Sequence, residues 1–217
     1  MKKDQTDISS LFQKEISSDE ELRSIVKTFL QSVQDADIKI FNQHLEQLSE
    51  FCENYPLNKE LGLNLRDLVK AQFGYFTTDF QLAILHLNLL EERQAGWKDH
   101  DLKGMQHFIS GGSYRSMGDL DKATDDLLKA LEFINPLGPL GTYSSYAAYI
   151  LGGIFSELLD YAAAYKYYSL GMEGAQKAGN KDGEFRLLSG MAVSLLREGK
   201  LDESKEIFEE ALEKASN

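Results

Sequence analysis

The stretch SMGDLDKATDDLLKAL, Ser116 to Leu131, and the stretch LREGKLDESKEIFEEALEKA, Leu196 to Ala215, are two copies of one pattern. Gly118 falls on Gly199, Leu120 on Leu201, Ala123 on Ser204, Leu127 on Phe208 and Ala130 on Ala211. In each copy a polar turn opens into apolar and small residues spaced three and four apart, the pattern of an amphipathic helix entered from a tight turn. FTTDFQLAILHLNLL, from Phe76, repeats it with Phe80, Ala83, Leu87 and Leu90. ELLDYAAAYKYYSLG, from Glu157, repeats it with Tyr161, Ala164, Tyr168 and Gly171. A fainter copy, QDADIKIFNQHLEQL, begins at Gln34 and supplies Ile38, Phe41, Leu45 and Leu48.

The apolar residues that follow the turns are therefore Ile38, Phe80, Leu120, Tyr161 and Leu201, at successive spacings of 42, 40, 41 and 40 by subtraction. So regular a period marks a repeat array. Each copy reads as two helices. The first helices are expected over 19–33, 59–76, 103–117, 142–158 and 181–198. The second are expected over 36–54, 79–94, 120–135, 161–177 and 201–215. Turn-forming stretches such as YPLNKE, NPLGPLG and AGNKDGE separate them. Nine residues before each turn position stand Ala71, Gly111, Gly152 and Ala192, with Ala83, Ala123, Ala164 and Ser204 facing them. Small residues at both places let the two helices of a hairpin approach closely.

Composition narrows the function. The 217 residues are 42% hydrophobic, carry only three prolines, and have a formal net charge of -12. Phosphate recognition depends on clustered Lys and Arg, so this balance argues against nucleic acid as the partner. It argues equally against an anionic membrane surface. Acidity also serves solubility alone. The single cysteine, Cys52, excludes an internal disulfide. The N-terminal segment lacks the apolar core of a signal peptide, and no apolar run reaches transmembrane length. The expected location is the cytoplasm.

The best copy, GGSYRSMGDLDKATDDLLKAL from Gly111, resembles the tetratricopeptide (TPR) repeat, with Gly111, Tyr114, Gly118, Asp119, Leu120, Ala123 and Ala130 at signature places. The copies are longer than the usual ~34 residues and are similar to the long TPR units of bacterial regulatory proteins. A HEAT-type array also fits the period, but the Gly-Asp turn and the paired small positions are TPR features. The resemblance implies an all-α, TPR-like α-solenoid of about five hairpins in a right-handed superhelix. Its repeats would span 19–57, 58–99, 100–139, 140–180 and 181–217, after an N-terminal arm over 1–18.

By position, that resemblance places Tyr75, Phe76, Met105, Phe108, Arg115, Tyr146, Tyr149, Arg186 and Arg197 on a concave groove. Tyr, Met and Arg are types enriched at interface cores. The tyrosines of TYSSYAAYILGGIF suit packing between repeats as well as an accessible groove. The Lys/Asn carboxylate clamp of chaperone-binding TPR domains is not reproduced, since its positions hold mostly Val26, Leu30, Gln72 and Gly112.

No constellation of residues points to catalysis. His44, His86, His100 and His107 form no H-E-x-x-H pattern, and no phosphate-binding glycine loop occurs. Cys52 reads as a packed residue, and His100 falls in an expected inter-repeat loop. No metal or cofactor is expected. The resulting expectation is a non-enzymatic module that binds a protein or peptide in the groove. The alternative is the sensor or dimerisation part of a larger bacterial signalling enzyme or transcription regulator, a reading with which a homodimer is compatible.

Overall fold

Most of the helices begin where a short polar side chain takes up the backbone amides that a helix leaves unpaired at its start. The structure, a computed structural model, describes residues 16, 18–32, 38–93 and 96–215. The expected arm over 1–18 and the turn of the first copy lie almost wholly outside the described residues. Ten helices run through them: α1 Asp19–Ser32, α2 Ile38–Glu53, α3 Lys59–Phe76, α4 Phe80–Glu92, α5 His100–Met117, α6 Leu120–Phe133, α7 Gly141–Glu157, α8 Tyr161–Lys177, α9 Lys181–Arg197 and α10 Leu201–Ala215. No strand occurs among the described residues.

The caps recur with the repeat. Asp79, Asp119 and Asp160 cap α4, α6 and α8, each accepting a hydrogen bond from the amide three residues on. Asn58, Asp99 and Asn180 do the same for α3, α5 and α9. The Asp99 cap explains one departure from the sequence expectation. Its carboxylate accepts from Leu102 N at 3.3 Å, so α5 begins at His100 and not at Lys103. His100 therefore lies on a helix and not in a loop.

The turns inside the hairpins recur as closely. Thr78, Gly118, Leu159 and Gly199 each stand two residues before the apolar turn position, and each has positive φ, between 61° and 86°. Glycine adopts this left-handed conformation freely, whereas other residues meet a steric cost.

The chain divides into two compact units, Met1–Gly96 and Trp97–Asn217. In the first, α3 packs against α1, α2 and α4. In the second, α5 packs on α6 and α7, and α7 packs on α8 and α9. There α6 also meets α7, α8 meets α9, and α9 meets α10. First helices of consecutive hairpins thus lie side by side in the second unit. Each of α6 and α8 is shared between its own hairpin and the next.

The small positions work as spacers. A Cβ on Gly111 would stand 2.7 Å from Leu127 Cγ and 3.0 Å from Leu127 N on the facing helix. At the last hairpin, Ser204 Oγ donates to Ala192 O at 2.8 Å, which directly joins the two aligned small positions. Ala71, Ala83, Ala123, Ala164 and Ala192 are all fully buried. In the fourth copy the spacer serves an aromatic ring. Cβ atoms on Gly152 and Gly190 would come within 2.5 Å and 2.7 Å of the Tyr168 ring. Tyr168 therefore fills the space left by glycines on α7 and α9, in a core shared with Ala164, Leu187, Leu188, Met191 and Ala211. Fully burying a Leu or Met side chain such as those of Leu187, Leu188 and Met191 contributes about 1.5–3 kcal/mol.

Candidate functional site

The second unit carries a cleft between α7 and α9, and its walls follow from helical spacing. Tyr146 and Tyr149 stand one turn apart on α7, and Asn180, Gly183 and Arg186 recur every three residues at the start of α9. Ser145 and Leu187 complete the lining of a small hollow that opens to solvent. Asn180 is both cap and wall, because its side chain accepts from Gly183 N at 2.9 Å. A Cβ on Gly183 would stand 2.7 Å from that same side-chain amide. Glycine at this place keeps the first turn of α9 bare and leaves the cap undisturbed.

The electrostatics favour a ligand that accepts hydrogen bonds. Arg186 Nε donates to Asp182 Oδ2 at 2.8 Å, a pair in which both side chains are more than half exposed. That hydrogen bond raises the Arg186 pKa, and the nearby Tyr149 and Tyr146 phenols raise it further. Exposed i,i+4 pairs of this kind hold only ~0.3–0.5 kcal/mol, so the guanidinium is easily redirected. Behind the cleft, the Tyr149 ring lies 5.8 Å from that of Tyr168. Burial, with lesser effects from Tyr149 and Glu157, pushes the Tyr168 phenol up to about 12. It stays neutral at physiological pH.

Of the nine residues expected on a groove, the structure brings Tyr146, Tyr149 and Arg186 together here. Met105 has no exposure and Phe108 only 3%, and the Phe108 ring packs against Tyr143 at 5.2 Å between centroids. Both are core residues of the second unit and are not presented on a groove surface. Arg115, in the last turn of α5, hydrogen-bonds Glu157 in the last turn of α7. Arg197 ends α9, eleven residues and about 16 Å along the helix from Arg186. Tyr75 and Phe76 belong to the first unit, where Tyr75 meets Phe76 and Phe80 with ring centroids 6.2 Å away in each case. Burial raises the Tyr75 phenol, whereas Phe76 is well exposed.

Two polar clusters lie elsewhere, and neither has the geometry of a catalytic relay. In the first unit Asp67 is fully buried and takes hydrogen bonds from Arg66 at 3.2 Å and from Arg93, with His86 Nδ1 at 3.0 Å. Arg93 also donates to Asn64 Oδ1 at 2.9 Å. Burial alone would push the Asp67 carboxyl up. The hydrogen bonds from His86, Arg66 and Arg93 outweigh it and hold the group well below the usual carboxylate range. In the second unit Asp126 accepts from Ser110 Oγ at 2.5 Å and lies 3.0 Å from His107 Nδ1. The carboxylate stands between serine and histidine, so the histidine is not placed to take the serine proton. Among the described residues no group of three His, Cys, Asp or Glu side chains is arranged to hold a metal. Cys52 is buried, and that burial, only partly offset by Arg66, pushes its thiol up to about 12. A thiol so protonated is a poor nucleophile.

The sequence reading missed Asn180 and Gly183 as cleft walls and Asp67 as the centre of a buried ion network. A signal for the last was present, since Arg66 and Asp67 interrupt the apolar run Leu61–Val69. No known protein-family model and no curated protein matches this chain.

Proposed function

We propose that this chain is a TPR-like repeat protein of the cytoplasm, acting as a non-enzymatic interaction module that captures a peptide or protein segment at the α7–α9 cleft. The observation that carries the reading is the convergence of Tyr146, Tyr149 and Arg186 from two adjacent first helices. Side-by-side first helices in the second unit, the recurrent left-handed turn residues and the paired small positions support the TPR-like solenoid. Tyrosine and arginine together offer a flat apolar face with hydrogen-bond donors at its rim, the chemistry of interface hot spots. A segment that lays an apolar side chain over Tyr149 and an acceptor against Arg186 fits the cleft.

The test is affinity capture from cells that make the protein, comparing the wild type with Tyr149→Ala/Arg186→Glu. Loss of a specific partner by a variant with unchanged helical content is expected. Equal recovery by the folded double variant would overturn the reading.

A further inference from the structure

Tyr168 is the one residue at its place in the repeat whose side chain ends in a polar atom. The aligned positions on the other second helices hold Leu45, Leu87, Leu127 and Phe208, so packing there is served by an apolar side chain. To admit the phenol, the neighbouring helices give up bulk. Gly190 stands where the first helices of the three preceding hairpins carry Val69, Ile109 and Ile150, and Gly152 lies against the ring from α7. The ring enters from α8 and passes between α7 and α9, with only 7% of the residue exposed.

The hydroxyl end comes out beside Gly153. A Cβ on Gly153 would meet only that hydroxyl, at 4.0 Å. The hydroxyl makes no hydrogen bond among the described residues, and Glu157, whose charge also reaches it, is taken up by Arg115. Polar groups on buried side chains are ordinarily hydrogen-bonded, and this one is left to meet a group from outside the chain. Helical spacing fixes where it emerges. Gly153 lies one turn beyond Tyr149 on α7, and Gly190 one turn beyond Arg186 on α9. The two glycines thus continue the two walls of the cleft.

We propose that the Tyr168 hydroxyl is a specificity-determining contact for the segment held in the α7–α9 cleft, donating through the glycine opening to a main-chain carbonyl of that segment. The inference rests on the reading of the cleft as a peptide site. Glycine on both walls lets another backbone approach closely. From Tyr149 to Gly153 is about 6 Å along α7, the advance of about two residues in an extended chain. A segment with an apolar side chain over Tyr149 therefore carries its next carbonyls across the opening. At physiological pH the phenol keeps its proton and donates it there.

The probe is a short peptide selected from a displayed random library because it binds the full wild-type chain and not Tyr149→Ala/Arg186→Glu. Its affinity for the wild type, Tyr168→Phe and Gly153→Val is measured by titration calorimetry, beside the melting temperature of each. Tyr168→Phe removes the hydroxyl alone, and Gly153→Val covers the opening with the residue type found at the aligned position 193. Both variants are expected to melt no lower than the wild type and to bind the peptide about three- to tenfold more weakly. Equal affinity for either variant overturns this inference and leaves the cleft reading standing. A lowered melting temperature for Tyr168→Phe overturns it as well, because the hydroxyl then serves the fold. Failure to select any such peptide overturns the cleft reading and this inference with it.

Discussion

His86 Nδ1 lies 3.0 Å from Asp67 Oδ1, fastening α4 to α3. One repeat later the same fastening appears with its ends exchanged, as His107 Nδ1 lies 3.0 Å from Asp126 Oδ1. The turn positions Phe80 and Leu120 are forty residues apart, so Asp67 aligns with His107 and His86 with Asp126. In the last two hairpins the same places hold Ala148 with Tyr167 and Leu188 with Ile207. Polar and apolar pairs thus serve one packing site between the two helices of a hairpin.

The exchange gives a direct test. His107→Asp and Asp126→His should each destabilise the second unit, because each leaves like groups facing across the hairpin. The double exchange should recover most of the loss, which urea unfolding of all three variants would measure. Recovery no better than the sum of the single losses would mean that the pair is not the unit of stabilisation.

Asp67 is expected to matter more. It is fully buried against Arg66, Arg93 and His86, and removing its carboxylate strips the partly exposed Arg93 of its ion pair and leaves Arg66 with Glu53 alone. Asp67→Ala should cost about 1–3 kcal/mol. The pH dependence follows from the direction of the shifts. The Asp67 and Asp126 carboxyls, although burial opposes it, are both held below their ordinary range by hydrogen bonds. Their contribution is therefore complete above about pH 5 and is lost as pH falls through and below the carboxylate range. Wild-type stability should fall more steeply between about pH 5 and pH 2 than that of Asp67→Asn. Parallel curves would contradict this assignment.

At the turns, Thr78→Gly and Leu159→Gly should each stabilise by on the order of 1 kcal/mol, since both residues hold positive φ where glycine pays no steric cost. Gly118→Ala should lose a similar amount. Thermal unfolding in dilute solution reads all three, and a lowered melting temperature for Thr78→Gly would count against the strain.

In the core, Gly152→Ala pushes a methyl onto a ring that Gly190 already confines from the other side. The expected cost is about 1–3 kcal/mol. Replacing Tyr168 by leucine, the residue at the aligned positions 87 and 127, should recover part of it in the double variant. A neutral Gly152→Ala would show that the ring has room to move.

The hairpin boundaries were legible because caps and turns are local chemistry. The aspartates before Phe80, Leu120 and Tyr161 and the left-handed residues before them specify where a helix starts, whatever surrounds it. The cleft was legible only in part. Tyr146, Tyr149 and Arg186 follow from repeat register, but Met105 and Phe108 share that register and are buried. Periodicity gives the direction in which a side chain leaves its helix, and exposure depends on what the neighbouring helix places there. For Phe108 that neighbour is Tyr143. The Asp67 network was only half legible for a related reason: Arg66 and Asp67 stand out in their apolar run, but His86 and Arg93 come from 19 and 26 residues away.

The central claim, that the α7–α9 cleft receives a protein segment, is tested most directly by position. A photo-crosslinking residue is placed at Tyr146, inside the cleft, and in a second protein at Leu128, an exposed residue of α6. Both are irradiated with the partner recovered by affinity capture. Crosslinking from position 146 and not from 128 is the expected result. Crosslinking from 128 alone, or equally from both, would contradict the account.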